Sequence, residues 1–243
     1  MFGFDSLKKS KSIALLLDPD KTILDPDWIE VINLAKPDLI LIGGSQPFSF
    51  TLLDDMVTYL KKHSKIPLIG FPGDTSQLHS SFDGLLALSV VQSSDANFIL
   101  APLFHSARFI EQHSLPAYYT PYLILDGKGM TSVEKVLEGK IKQIDNLSGL
   151  DTFLFGLKVM RPTCIYLEAG SGAQNILKLE YIERTKNRLM DSYLFAGGGV
   201  RNITQILALW IAGADCVVVG NWLEKEKQAL IKICKERDIM NGH

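Results

Sequence analysis

Residues 193–221 read YLFAGGGVRNITQILALWIAGADCVVVGN, a complete strand–helix–strand unit in 29 residues. Tyr193 to Ala196 is an apolar run too short for a helix, and it stops at Gly197-Gly198-Gly199. Asn202 then stands where a helix N-cap belongs, with Gln205 in the capping-box position. Ile203, Ile206, Leu207, Trp210 and Ile211 form one apolar stripe at helical spacing, which ends at Gly213, a suitable C-cap. Cys216 to Val219 is a second apolar run, and it stops at Gly220-Asn221. Runs apolar on both faces are what buried parallel strands require.

Working outward, the same kind of run recurs at Ile13–Leu17, Leu39–Ile42, Pro67–Phe71, Gly84–Leu88, Tyr119–Leu125 and Cys164–Leu167. Helical stripes lie between most of them. Trp28, Val31, Ile32 and Ala35 follow Asp25-Pro26, a cap and a first-turn proline, and Leu53, Met56, Val57 and Leu60 repeat the pattern. Eight strand–helix units predict an α/β fold of the (β/α)8 barrel type, with an open doubly wound sheet as the alternative. Pro72 to Asp83 is polar and short, so an irregular third connection is expected in place of a regular helix. Asp126 to Thr163 is long enough for extra helical structure.

The chain has 243 residues, 47% of them apolar, and is read as a single domain, 1–243. With 21% charged residues and a net charge of -2 it carries no basic nucleic-acid footprint. Met1 to Ser12 lacks the apolar core of a secretory signal, and no apolar run approaches a membrane span. A cytoplasmic protein without stable membrane insertion is expected. Cys164, Cys216 and Cys234 are odd in number and set among apolar residues, so they read as buried thiols.

In a barrel, chemistry belongs at the C-terminal strand ends. Three glycine-bearing ends follow one another there: Glu168-Ala169-Gly170-Ser171-Gly172, Gly197-Gly198-Gly199 and Gly220-Asn221. Glycines let amide groups approach an anion closely, which suits a phosphate; equally, they turn strands into helices. A bulkier residue at Gly198 is expected to crowd the phosphate. Asp18-Pro19-Asp20-Lys21 and Gly43-Gly44-Ser45 follow the first two strands, and carboxylate and hydroxyl oxygens suit Mg2+. A strand-end aspartate equally caps the next helix. The histidines show no metal-ligand spacing and sit in no nucleophilic motif. Phe71, Phe98, Phe104, Tyr118, Tyr119 and Tyr122 cluster around the third to fifth units, where an apolar flank would accept a long apolar tail.

Leu17-Asp18-Pro19-Asp20-Lys21, Leu41-Ile42-Gly43-Gly44-Ser45, Tyr166-Leu167-Glu168-Ala169-Gly170-Ser171-Gly172, Gly197-Gly198-Gly199-Val200-Arg201 and Val219-Gly220-Asn221 occur in order along nearly the whole chain. In these segments the sequence resembles the geranylgeranylglyceryl phosphate synthase family, which includes the bacterial heptaprenylglyceryl phosphate synthases. The resemblance implies a Mg2+-dependent prenyltransferase that joins a polyprenyl diphosphate to the 3-hydroxyl of sn-glycerol 1-phosphate. It implies Asp18 and Ser45 as metal positions. Tyr166, Leu167, Glu168, Ala169, Gly170, Ser171, Gly172, Gly198, Gly199, Gly220 and Asn221 would hold glycerol 1-phosphate, and Tyr122 would face the substrates. Leu16 stands where one branch of the family has lysine. The chain therefore resembles the other branch, which has the alanine-glycine-serine-glycine loop, uses a geranylgeranyl donor and forms homo-oligomers, dimers or hexamers. Glu168 directly follows a strand and precedes the phosphate loop, so it is the candidate base for the 3-hydroxyl proton. Competing readings are a barrel isomerase or aldolase of phosphorylated sugars, and a noncatalytic phosphate-ligand binder.

Overall fold

The last strand pairs with the first: Ser12, Ile13, Ala14 and Leu15 lie opposite Cys216, Val217, Val218 and Val219 in a parallel ladder. That pairing closes the sheet and removes the open-sheet alternative. In this computed structural model, which describes residues 3, 4, 7, 10–44, 48–125, 140–170, 173 and 175–242, the strands are β1 (Ser12–Leu17), β2 (Leu39–Ile42), β3 (Leu68–Gly70), β4 (Gly84–Val90), β5 (Ala117–Ile124), β6 (Cys164–Glu168), β7 (Tyr193–Gly197) and β8 (Cys216–Val219). They pair in sequence order around a closed barrel, as the apolar runs predict.

Side chains alternate across each strand. Ala14, Leu41, Tyr122, Tyr166, Phe195 and Cys216 fill the barrel interior, while Leu15, Ile42, Leu123, Leu167, Ala196 and Val217 pack outward against the helices. The buried layer on both sides explains why these strands are apolar throughout. Cys164, Cys216 and Cys234 are buried free thiols, as expected.

The outer layer consists of α1 (Pro26–Ala35), α2 (Phe50–His63), α3 (Ala96–Ile99), α4 (Ala101–Gln112), α5 (Leu147–Met160), α6 (Leu179–Arg188), α7 (Ile203–Ile211), α8 (Asn221–Lys225) and α9 (Ala229–Met240). Asp25 caps α1 by accepting from the Trp28 amide at 2.7 Å, with Pro26 in the first turn. At α7, Asn202 accepts from Gln205 N at 3.0 Å. The Gln205 side chain reaches back to the amide of Arg201 at 2.7 Å, one residue beyond the cap. Gly213 takes φ +116° just past the helix end, a conformation glycine adopts without strain.

The third connection is irregular, as its polar composition predicts. Between β3 and β4 it holds a 3-10 turn over Thr75–Gln77, capped by Asp74, whose carboxylate accepts from the Ser76 amide at 2.6 Å. Within the long fifth connection, α5 covers the barrel and Ile141 bridges to Ser93 beside β4. Residues 126–139, part of the stretch expected to hold extra helical structure, lie outside the described residues. Among the described residues no helix is long and apolar enough to cross a membrane.

Candidate active site

Strand alternation decides how the β6 end is used. Tyr166 and Glu168 point inward, and Leu167 between them packs outward among the helices, as Ala169 does. The side chains of Leu167 and Ala169 are therefore turned away from the barrel mouth, and the Ala169 amide donates to Gly197 O at 3.0 Å.

Glu168 is 7% exposed at the barrel mouth. One carboxylate oxygen accepts from the Gly170 amide at 2.6 Å, and the hydroxyls of Tyr166 and Tyr122 donate to the carboxylate. The two phenol rings stack with centroids 5.1 Å apart and planes 19° from parallel. Burial pushes the Glu168 carboxyl up to about 7, and the three donors hold it from rising further. Burial, and then the Glu168 charge, push both phenols well above their ordinary value, so they remain donors.

The neighbouring glycines leave room for this carboxylate. Gly198 has φ +85° and Gly199 φ +70°. A Cβ on Gly198 would overlap the Glu168 carboxylate and lie 2.7 Å from Gly170 N and 2.9 Å from Ala169 N. A larger residue at 198 thus displaces Glu168 before it crowds any ligand, which revises the expectation from sequence. Gly198→Ala should destabilise the fold by about 1–3 kcal/mol, because alanine resists this backbone conformation, and should also lower activity. Urea unfolding beside an activity assay checks this; a variant as stable and as active as wild type would contradict it.

Two cavities meet at Glu168. One is a recess of about 430 Å³ walled by Tyr166, Gly198, Gly199, Gly220 and Asn221, with Arg201 and Lys225 on its rim. The other is a largely apolar groove of about 330 Å³ that runs from Asp18 and Gly44 past Phe71, Leu88, Val90 and Tyr122 to Phe98 and Pro102. Leu16, Glu168, Gly220 and Asn221 line both. Gly170, at φ +108°, lies two residues past Glu168, and Ser171 and Gly172 lie outside the described residues.

Of the six aromatics expected on the apolar flank, Phe71, Phe98 and Tyr122 line the groove. Tyr118 sits lower in the barrel against Phe4, at 4.7 Å between centroids. Tyr119 lies on the other face of β5, with its hydroxyl 4.0 Å from the Met160 sulfur, and Phe104 is 69% exposed. The sequence reading missed the wall made by Leu88, Val90 and Pro102, and it passed over His105, which also lines the groove. Their only signal is the inward parity of Leu88 and Val90 on β4.

Asp18 lies at the polar end of the groove. It accepts from the Asp20 amide at 3.1 Å and pairs with Lys21 Nζ at 2.5 Å. Gly44 faces it, and a Cβ there would come within 2.8 Å of the carboxylate. Among the described residues no three His, Cys, Asp or Glu gather into a metal cage. One carboxylate in a glycine-cleared space, its partner the half-exposed Lys21 ammonium, fits an ion that fills its shell with water and ligand phosphate oxygens, as Mg2+ does. Ser45, the second expected metal position, lies outside the described residues.

A closed parallel barrel with glycine-rich ends on β6, β7 and β8 beside a single buried carboxylate defines the (β/α)8-barrel class whose sites open at the C-terminal strand ends. Within that class the chain belongs to the PcrB family, whose model matches residues 6–237. It is 35% identical to a geranylgeranylglyceryl phosphate synthase of Sulfolobus acidocaldarius, over 95% of this chain and 90% of that protein. A solved structure of the geranylgeranylglyceryl phosphate synthase from Thermoplasma volcanium superposes with a TM-score of 0.84 at 26% identity, covering 100% of this chain and 99% of that one. The crystal structure of (S)-3-O-geranylgeranylglyceryl phosphate synthase from Thermoplasma acidophilum in complex with sn-glycerol-1-phosphate shares the fold, with a TM-score of 0.86 at 23% identity over 99% of this chain and 97% of that one.

Proposed function

We propose that the protein is a geranylgeranylglyceryl phosphate synthase, which transfers the prenyl group of a polyprenyl diphosphate to the 3-hydroxyl of sn-glycerol 1-phosphate. The observation that carries this reading is the position of Glu168, the one carboxylate shared by a glycine-walled recess and an apolar groove. The recess suits a small phosphorylated acceptor, whose oxygens lie best against bare backbone amides. The groove suits an apolar chain with a charged head toward Asp18. The relatives are geranylgeranylglyceryl phosphate synthases, and the one from Thermoplasma acidophilum is solved with its substrate sn-glycerol-1-phosphate.

In the proposed reaction the acceptor O3 forms an ether bond to the donor's allylic carbon. The bond from that carbon to diphosphate breaks, and diphosphate leaves with the electron pair. The O3 proton passes to Glu168, whose carboxyl near 7 is matched to accepting it at neutral pH. Tyr166 and Tyr122 hold the carboxylate in place, and the glycine loops orient the acceptor so that its hydroxyl faces the allylic carbon. Asp18, with Ser45 as the second expected position, would hold Mg2+, which would supply counter-charge for the departing diphosphate. The geranylgeranyl donor, the cytoplasmic setting and a homo-oligomeric state are part of the same proposal, supported by the family resemblance.

An isomerase or aldolase of sugars would want a lysine at a strand end, and no strand of this barrel ends in one. The test is to incubate the protein with labelled sn-glycerol 1-phosphate and prenyl diphosphates of graded length, with and without Mg2+. A prenyl ether forming only when both substrates and Mg2+ are present is expected. No ether in any combination would refute the proposal.

A further inference from the structure

The third connection contains a buried side chain that the proposed chemistry does not use. Gln77 closes the 3-10 turn and is 1% exposed. The turn already has its own bonds, from Gln77 N to Asp74 O at 3.2 Å and from Ser76 N to the Asp74 carboxylate. The Gln77 carboxamide reaches beyond it, to Gly73 near the start of its own connection and to Gly44 on the neighbouring loop after β2. Its oxygen accepts from Gly73 N at 2.8 Å and from Gly44 N at 3.3 Å, and its nitrogen donates to Gly44 O at 3.0 Å.

The two segments it joins lie side by side at the ends of the paired strands β2 and β3, close enough for one oxygen to accept from both Gly73 N and Gly44 N. Gly43 and Gly44 follow β2, Pro72 to Asp74 follow β3, and both segments line the groove at its Asp18 end. Gly44 is also the residue packed against the Asp18 carboxylate. A regular helix in this connection would form its hydrogen bonds internally, whereas the irregular turn leaves one buried amide to fix the gap between the loops. Groups held by satisfied buried hydrogen bonds are preset before a ligand arrives, and small displacements of such groups carry large penalties in reactivity.

We infer that Gln77 is a positioning residue for the donor: through Gly44 and Gly73 it fixes the wall of the groove where the diphosphate head meets Asp18. The inference rests on the reading of the groove as the donor site. Two variants test it. Gln77→Met keeps the length of the side chain and removes the bonds to Gly44 and Gly73. Gln77→Glu keeps the two bonds that accept and loses the donor to Gly44 O.

Gln77→Met should raise the KM for the prenyl diphosphate about tenfold or more, the scale of a displaced binding group, and Gln77→Glu should raise it by less. The Kd for sn-glycerol 1-phosphate, measured by calorimetry, should stay at the wild-type value in both. A folded Gln77→Met with donor KM within about twofold of wild type, or an acceptor Kd that rises in step with donor KM, would overturn the positioning role. If Gln77→Met does not fold, Gln77→Glu decides by the same split. Wild-type protein assayed alongside separates the two claims. Absence of transfer in wild type sinks the donor reading, and the clamp is then read from amide hydrogen exchange at Gly44 and Gly73. Exchange there should quicken in whichever variant folds, and unchanged exchange would overturn the clamp itself.

Discussion

Glu168→Gln should lower the maximal transfer rate by about a hundredfold or more, the usual contribution of a general base, while making the folded protein more stable in alkaline solution. The two effects have one cause. The native carboxyl titrates near 7, against 4.5 for an ordinary glutamate, because burial disfavours its charge. Below 4.5 it is protonated in both folded and unfolded chains and contributes no difference. Above 7 it is ionised in both, and only the folded chain bears a buried charge. Stability is therefore lost as pH rises between these values, by about 3 kcal/mol in all. Glutamine retains the acceptor for Gly170 N and has no charge to bury, so this loss should vanish in the variant. Thermal unfolding from about pH 4 to about pH 9 reads the second effect. In wild type kcat/KM should climb through about 7, and in the variant that rise should be absent. A variant with wild-type turnover would make Glu168 a structural residue.

Asp18→Asn should cost about a thousandfold in turnover, the scale for removing an electrostatic partner of the transition state. The fold should be nearly unaffected. The asparagine carboxamide can still accept from the Asp20 amide, and the lost Lys21 pair joins a half-exposed ammonium at the groove mouth, worth about 0–1 kcal/mol. The measurement is activity against Mg2+ concentration in wild type and variant, with melting curves beside it. Wild-type activity with its Mg2+ dependence intact would remove Asp18 from the site.

The barrel was legible because buried parallel strands are apolar on both faces, and each apolar run from Ile13 to Val219 became a strand in sequence order. The three glycine ends and Glu168 were legible from their place directly after such runs. Alternation along a strand carries more than that reading took from it. It turns Leu167 away from the cavities and separates Tyr119 from Tyr118 and Tyr122. Tyr118 and Tyr122 share a face, but four residues at about 3.3 Å each put them some 13 Å apart along β5, and only Tyr122 reaches the mouth. The groove's wall at Leu88 and Val90 was not legible, because these are residue types a core also uses. Gln77 gave no signal at all. It is one polar residue in a polar turn, and its role depends on Gly44, which lies on another loop 33 residues away. The placement of Gly198 against Glu168 likewise exists only once β6 and β7 are side by side, Glu168 opposite Gly197.

The central claim is that Glu168 stands between an acceptor in the recess and a donor in the groove. A crystal structure of Glu168→Gln soaked with sn-glycerol 1-phosphate and a prenyl diphosphate tests it most directly, since the slowed variant holds both substrates. The account predicts phosphate against Gly198, Gly199 and Gly220, the prenyl chain along Phe71 and Phe98, and the glycerol 3-hydroxyl within hydrogen-bond reach of the side chain at 168. A phosphate bound elsewhere, or a 3-hydroxyl turned away from position 168, would contradict it.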